Sequence, residues 1–425
     1  LFNFSDRVAD LAPEESPFFV YLSKVAKVPT DDPQFRFLED RTKVSMTDRG
    51  FLLAGSHSIP AAGSTLTYSV DTSDGASVDW LVKGMVFAVD YTENNSPETI
   101  IVRVETSPVD AGSTSTFTGR TISAIDGAET GADNAKCQVI GTSYGEGTGA
   151  PDVFSQELDN DFGFTQIFKT ACEMSNTARA TRYRGYEDEF QRVWNLKLRE
   201  HKVDIERAML FGQRASQNGI QYTEGIAGHV IKNGTAVVDD SALSYSSGAP
   251  YFRSSAVSEL TYDRILSDFE VIYDPARGGG DSKLALASLP VISFFNKLGA
   301  DAFMNRSLVD GTSTAVNDVS NLRYNMMEKE GSYGHKIMAI DTIHGTMNLV
   351  KEPLFRGFAS GFCMMVDLDH VAYRPLVGNG VNRDTQIQTN VQSADEDLRK
   401  DMIMTEAGLE VSLPETHYLL NLEGV

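Results

Sequence analysis

The chain has 425 residues, enough for about two or three domains with sizeable cores, and its 41% hydrophobic and 23% charged content is ordinary for a globular protein. Its net charge of −22 is not ordinary. That charge argues against a sequence-independent nucleic-acid binder, whose affinity comes from counterions displaced by Lys and Arg clusters, and against docking on an anionic membrane.

Residues 1–50 read as an extended polar arm punctuated by Pro13, Pro17, Pro29 and Pro33, with one short apolar helix pattern at Phe18–Val28 and a strand beginning near Phe35–Glu39. Composition shifts between about Gly55 and Gly149, where Gly, Ser and Thr dominate. Short β-type runs recur there, at Thr65–Val70, Met85–Val89, Thr99–Glu105, Ser115–Thr118 and Cys137–Ile140. Ile100, Val102 and Val104 alternate as on a half-buried strand. Twelve acidic residues against four basic ones give this stretch a net charge of −8, and it is expected to be a small all-β insertion.

Phe164–Met174 is expected to be a strand and Ser175–Thr177 a turn. Gly185–Arg214 is the longest helical pattern in the chain, free of proline, with Glu187, Asp188 and Glu189 suiting the positive end of the helix dipole. At 100° per residue, Phe190, Trp194, Leu198, Ile205 and Met209 share one face with Ala208, while Leu196, Val203 and Leu210 lie roughly opposite. Two opposed apolar faces predict a helix sandwiched between layers, and about 1.5 Å per residue gives it roughly 45 Å.

Gln217–Asp240 reads as glycine-spotted and irregular. Helices are expected within Leu260–Tyr273 and Pro290–Leu298, a buried strand at Leu284–Leu289, and a loop at Phe303–Ser320. Strands are expected at Lys336–Asp341, Thr346–Val350, Phe362–Tyr373, Met402–Thr405, Leu409–Leu413 and Tyr418–Leu422, with a polar excursion at Asn379–Lys400.

No motif carries convincing catalysis. Gly278–Lys283 lacks the ending of a phosphate loop and precedes its strand instead of following it. Gly141-Thr142-Ser143-Tyr144-Gly145 has the letters of a nucleophile elbow, but Gly147, Gly149 and Pro151 follow where a helix must begin. Asp367 and Asp369 would share a strand face with His370 pointing away. Three scattered cysteines and seven histidines without pairing give no disulfide framework or metal spacing. No cofactor or metal is expected, and the protein is not expected to be an enzyme.

Particular stretches carry a resemblance. Ser16-Pro17-Phe18-Phe19 followed by Pro33-x-Phe35-x-Phe37-Leu38-Glu39 resembles the arm of a phage capsid subfamily. Phe164–Phe168 with Ser175–Ala178, then Gly185-x-x-Asp188-Glu189 and Asp204-Ile205-Glu206, resembles its strand, turn and spine helix, and Thr405–Val411 with His417 its closing strands. The chain therefore resembles the major capsid proteins of tailed bacteriophages, the fold named after phage Hong Kong ninety-seven.

The resemblance implies an α+β subunit with an N-terminal arm leading into the extended loop (1–54), an all-β insertion in that loop (55–150), a peripheral strand and spine helix (151–239) and an axial domain (240–343). A returning peripheral sheet with its loop and a C-terminal strand (344–425) completes it. It implies self-assembly into hexamers and pentamers of an icosahedral head around double-stranded DNA, built in the bacterial cytoplasm. Portal, scaffolding and decoration or cement proteins would be partners, and no membrane. Spine packing would fall to Phe190, Trp194, Leu198, Ile205 and Met209, and contacts of the peripheral loop to Arg383, Asp384, Asp395, Glu396, Asp397 and Arg399. Competing readings are an encapsulin-like compartment of the same fold, a β-rich adhesin or carbohydrate-binding protein, and a hydrolase acting through Ser143.

Overall fold

In the computed structural model the described residues are 18–19, 22, 27–40, 49–71, 78, 80–93, 96–110, 114–123, 129–131, 135–153, 158–181, 188–238, 243, 250–277, 280–304, 325–330 and 336–424. The first turns of the arm and the Phe303–Ser320 stretch beyond Met304 lie outside them. The chain divides into two units, one of residues 1–37, 160–244 and 248–425, the other of 38–159 and 245–247.

The larger unit is built on two sheets and four principal helices. Its long helix runs Glu189–Phe211, 23 residues or about 35 Å. Asp188 caps it, its Oδ1 accepting from the backbone N–H of Phe190 (2.9 Å) and Gln191 (3.3 Å), and Gly212 closes it. The expected double-sided sandwich is not what the subunit provides. Only His201, Ile205, Glu206, Met209 and Leu210 are buried, all in the second half, whereas Leu196 is 50% exposed and Trp194 half-buried. Among the described residues, no second layer covers that first half.

Gln217–Asp240 is more regular than its glycines suggest. It folds as the hairpin Ala215–Gln217/Ile220–Tyr222, the helix Ile226–Asn233 and the strand Thr235–Val238. Gly228 serves contact: a Cβ there would collide with the backbone carbonyl of Gly212, so the Ile226–Asn233 helix can close on the end of the long helix only at Gly.

The first sheet has eight strands in the order Thr235–Val238, Tyr251–Ala256, Tyr418–Glu423, Phe362–Val366, Ser282–Ala287, Thr346–Lys351, Lys336–Asp341, Asn325–Glu330. Alternation along its strands sorts two cores. Ala285, Ala287, Met347, Leu349, Cys363, Met365 and Leu420 face one cluster with Ile265, Phe269 and Ile272 of the Tyr262–Ile272 helix and Val291 and Phe295 of the Leu289–Met304 helix. Leu284, Leu286, Val350, Met364, Val366 and Leu419 face the other, with Ile205, Met209 and Leu210 of the long helix. Because this one sheet takes strands from 235–238, 251–256, 282–287, 325–351, 362–366 and 418–423, the expected boundaries at 239/240 and 343/344 cut through it.

The second sheet pairs Gln166–Ser175, Leu398–Val411 and Val371–Pro375, with Gln386–Gln388 also on the central strand. The single strand expected at Phe362–Tyr373 is two strands in two sheets, separated by a 3-10 turn at Leu368–His370. The arm reaches this unit twice. Phe18 and Leu22 are fully buried in the core shared with the long helix, and Val28 and Thr30 donate backbone hydrogen bonds to Tyr373 and Pro375 (both 2.9 Å).

The smaller unit is an antiparallel barrel. Its ladder runs Gly50–Leu52, Lys136–Thr142, Met85–Glu93, Ser96–Val104, Thr114–Ser123, Thr65–Asp71. A bridge from Leu53 to Val70 and the Ala54 N–H bond to the Ser69 carbonyl (2.8 Å) return the last strand to the first. That return joins the two ends of the ladder. Inside are Phe51, Leu53, Tyr68, Val70, Phe87, Val89, Ile100, Val102, Val104 and Phe117, with Trp80 and Leu81 from a loop. The sequence-based expectation of an all-β insertion at 55–150 falls within this unit, which begins earlier because Gly50–Leu53 supplies the strand that closes the ladder.

Candidate assembly surfaces

The residues expected on the helix divide by depth. Ile205 and Met209 are in the core, at 1% and 0% exposure, and hold the subunit together. Phe190, Trp194 and Leu198 are half-buried along the first half of the helix, beside exposed Leu196. Phe190 lies between two guanidiniums: Arg399 stands 4.6 Å and Arg179 5.5 Å from its ring centroid. Arg399 in turn pairs with buried Asp401 (2.9 Å), whose carboxyl is held below the usual carboxylate range by that guanidinium and the Asn390 N–H, against the opposing effect of its burial.

The Asn379–Lys400 excursion is anchored at both ends and by the strand Gln386–Gln388 between them. At its start Arg383 pairs with Glu406, and Asp384 takes Lys27 of the arm and the hydroxyl of Tyr373 (3.1 Å). At its end the carboxylate of Asp397 accepts from the side-chain amide of Asn176 (2.6 Å). Asp395, Glu396 and Asp397 are all exposed. So Arg383, Asp384 and Arg399 fasten the excursion to its own subunit, and the acidic tip Asp395–Asp397 is presented outward.

Polar side chains whose partners the sequence does not give lie in the core, among them His201, expected on the flank of the long helix or against a neighbour. His201 bridges Thr170 and Thr405, 2.9 Å from each hydroxyl, and fixes the long helix to two strands of the second sheet; burial lowers its pKa. Arg253, fully buried, pairs with Asp268 (2.5 and 2.7 Å), which also accepts from the Tyr418 hydroxyl (3.0 Å). A histidine in a helical run or an arginine in a β-run carries no spacing signal, so only the assembled neighbours reveal these roles.

The candidate chemical motifs take structural places. Gly280 donates its N–H to Asp367 (3.0 Å) and Lys283, fully buried, donates to the Thr416 carbonyl (2.8 Å); residues 278–279 lie outside the described residues. Asp367 is not on a strand but caps the 3-10 turn, accepting from the N–H of Asp369 (3.1 Å). Ser143 is exposed just past the strand Lys136–Thr142, its N–H on the Gly84 carbonyl (2.8 Å), without the strand-to-helix turn of a nucleophile elbow. Among the described residues no group of three or more His, Cys, Asp or Glu side chains is placed to hold a metal, and no helix is long and apolar enough to cross a membrane.

The major capsid protein of Pseudomonas phage PaMx41 is 25% identical over 321 residues, which cover 73% of this chain and 65% of that protein's length. Among solved structures, the chain is similar to one from Microbacterium phage Oxtober96 (TM-score 0.45, 8% identity, 100% of this chain and 96% of that one). It is also similar to the capsid of a native GTA particle (TM-score 0.41, 10% identity, 99% and 94%). Residues 2–423 match the model of the SU10 major capsid protein family. The chain belongs to that family: it is a phage major capsid protein with an α+β subunit.

Proposed function

We propose that many copies of this chain assemble as hexamers and pentamers into the icosahedral head of a virion, around double-stranded DNA. The observation that carries this is the match to a capsid family over residues 2–423. In this reading the second sheet and the long helix are the peripheral domain and spine, and the eight-stranded sheet the axial domain. The barrel belongs to the extended loop, and Asp395–Asp397 meets neighbouring subunits. Many modest contacts acting together give such a shell its stability. Portal, scaffolding and cement proteins are its expected partners, and the host cytoplasm its place of assembly. The chain's charge of −22 suits a wall that does not hold packaged DNA by counterion release.

Electron microscopy of the purified full-length protein tests the proposal. Closed particles of uniform curvature support it. A monomer that never assembles across protein concentration and salt would overturn it, and small shells filled with an enzyme cargo would favour the encapsulin reading.

A further inference from the structure

The strand Gln166–Ser175 is an open sheet edge ten residues long, roughly 33 Å. It pairs with the central strand Leu398–Val411 without a break, from Gln166 opposite Ala407 to Ser175 opposite Leu398, and among the described residues no strand lies on its other side. In an antiparallel ladder every second residue turns its N–H and C=O away from its partner. Along 167–175 those outward groups have no backbone partner among the described residues, whereas Thr165 and Asn176, beyond the two ends, donate to the carbonyls of Pro33 (2.9 Å) and Asp397 (3.3 Å). Proteins blunt such an edge by keeping it short or by placing a proline or a bulge in it. This strand is long, holds no proline and keeps one register throughout.

Side chains along the edge alternate by face. Phe168 lies in the core beside Ile205 and Met209, Thr170 bonds to His201 (2.9 Å) and Cys172 is buried, so this set faces the long helix. Ile167, Lys169, Ala171, Glu173 and Ser175 form the other face, and all five are exposed. The order is self-complementary about Ala171. Read outward from it, Thr170 and Cys172 are both small, Lys169 and Glu173 are opposite in charge, and Phe168 and Met174 are both apolar.

We propose that two copies of this chain join edge to edge along Gln166–Ser175, antiparallel, about a two-fold axis through Ala171 perpendicular to the sheet. Such an axis sets Ala171 against Ala171 of the second copy and, by symmetry, Lys169 against Glu173 twice. Glu173 already pairs with Lys400 of its own subunit (3.1 Å), so each carboxylate would lie between two cations. Moving the axis by one residue sets Lys169 against Ala171 or Ser175 instead, and the charge pairing is lost. Because facing residues keep their side chains on the same side, both long helices lie on one side of a sheet that runs unbroken through the two copies. The pairing deepens the shell reading by naming one contact between copies, and rests on it only in requiring that copies meet.

Single cysteines in the full chain test the register. Directly opposed residues have Cα atoms about 4.5–5.5 Å apart, within disulfide reach, whereas residues four positions off the pairing stand about 13 Å apart. Ala171→Cys is expected to link copies into reducible dimers under mild oxidation, with the bond mapped to position 171; the wild type, whose cysteines are buried, is expected to stay unlinked. Lys169→Cys and Glu173→Cys are each expected to stay unlinked alone and to link to one another when the subunits are mixed before assembly. Lys169→Glu added to Ala171→Cys sets like charges opposite each other twice and should slow the linkage about tenfold. These positions are exposed, so the changes remove no core contact. No linkage at 171 in assembled particles, or Lys169→Cys linking to itself as fast as to Glu173→Cys, would overturn the pairing. Particles without the 171 link keep the shell and remove the pairing, and linked dimers that never form particles do the reverse.

Discussion

The guanidinium of Arg399 lies over the ring of Phe190, 4.6 Å from its centroid, and joins the first turn of the long helix to the first residues of the central strand Leu398–Val411. Along the first half of that helix, Glu189 pairs with Arg192 and Lys197 with Glu200, and partly exposed pairs of this kind contribute little. A double-mutant cycle of Phe190→Ala and Arg399→Met should therefore show a coupling of about 0.5–1 kcal/mol in urea unfolding, as expected for a partly exposed cation–π contact. Coupling indistinguishable from zero would mean that the two ends are held by something else.

Depth along the helix gives a second expectation. Met209 is fully buried among Ile205, Leu284 and Leu419, so Met209→Ala should cost about 2–5 kcal/mol. Leu196 is half exposed, and Leu196→Ala should stay within about 0.5 kcal/mol of wild type. Chemical denaturation of the unassembled subunit measures both. Equal costs would mean that the helix is buried along its whole length.

How much of this was legible in the sequence depended on how local each determinant is. The long helix could be read to within a few residues at each end, because an acidic first turn and a closing glycine are written in neighbouring positions. The strand Gln166–Ser175 and the alternating strand through Ile100, Val102 and Val104 were equally plain. Met402–Thr405 and Leu409–Leu413, read as two strands, are one strand, Leu398–Val411. Gly408, between the two runs, is there for contact: a Cβ would come within 2.5 Å of the Phe164 carbonyl oxygen and 2.7 Å of the Phe35 ring. What could not be read was membership of the eight-stranded sheet, because its neighbours lie far apart in sequence. Tyr251 pairs with Tyr418, and Leu284 with Val366. On the assembly surfaces, the sequence grouped Phe190 with Met209 by angle alone; depth separated them.

His417 predicts a response to acid. It is 1% exposed, its Nδ1 accepts from the Asp367 N–H (3.2 Å), and burial, with Lys283 adding to it, pulls its pKa down to about 3. The unfolded chain takes this proton near pH 6.5 while the folded one refuses it until about pH 3, so the group's stability contribution is present above 6.5 and lost as pH falls. Between pH 6.5 and 5 the loss is about 2 kcal/mol. His417→Asn keeps an acceptor for Asp367 and cannot titrate, so its denaturation midpoint should fall less over this interval. A variant that tracks the wild type in slope would remove His417 as the cause.

The barrel closes its ladder on itself and carries its own aromatic core, with Phe117 stacked on Tyr68 (5.5 Å) and edge-on to Phe87 (5.6 Å). Residues 38–159 expressed alone should unfold in one cooperative transition, and Phe117→Ala should lower its stability by about 3–5 kcal/mol. Circular dichroism melting decides it. An isolated segment without a transition would mean that the barrel depends on the rest of the chain.

The acidic tip supplies the expectation most tied to assembly. Asp395, Glu396 and Asp397 are exposed, and only Asp397 has a described side-chain bond to the body of the subunit, to Asn176. Asp395→Lys with Glu396→Lys therefore removes no buried contact, and the unassembled subunit should melt within about 0.5 kcal/mol of the wild type. If the tip meets neighbouring subunits in the shell, the same reversal repeats at every copy, and small losses per contact multiply into a large loss of particles. Sedimentation of assembly reactions separates the outcomes. Reduced particle yield from a subunit of unchanged stability places the tip at an interface. Unchanged yield would assign the assembly contacts to the exposed half of the long helix, around Trp194 and Leu196, where the same measurement on Leu196→Asp would find them.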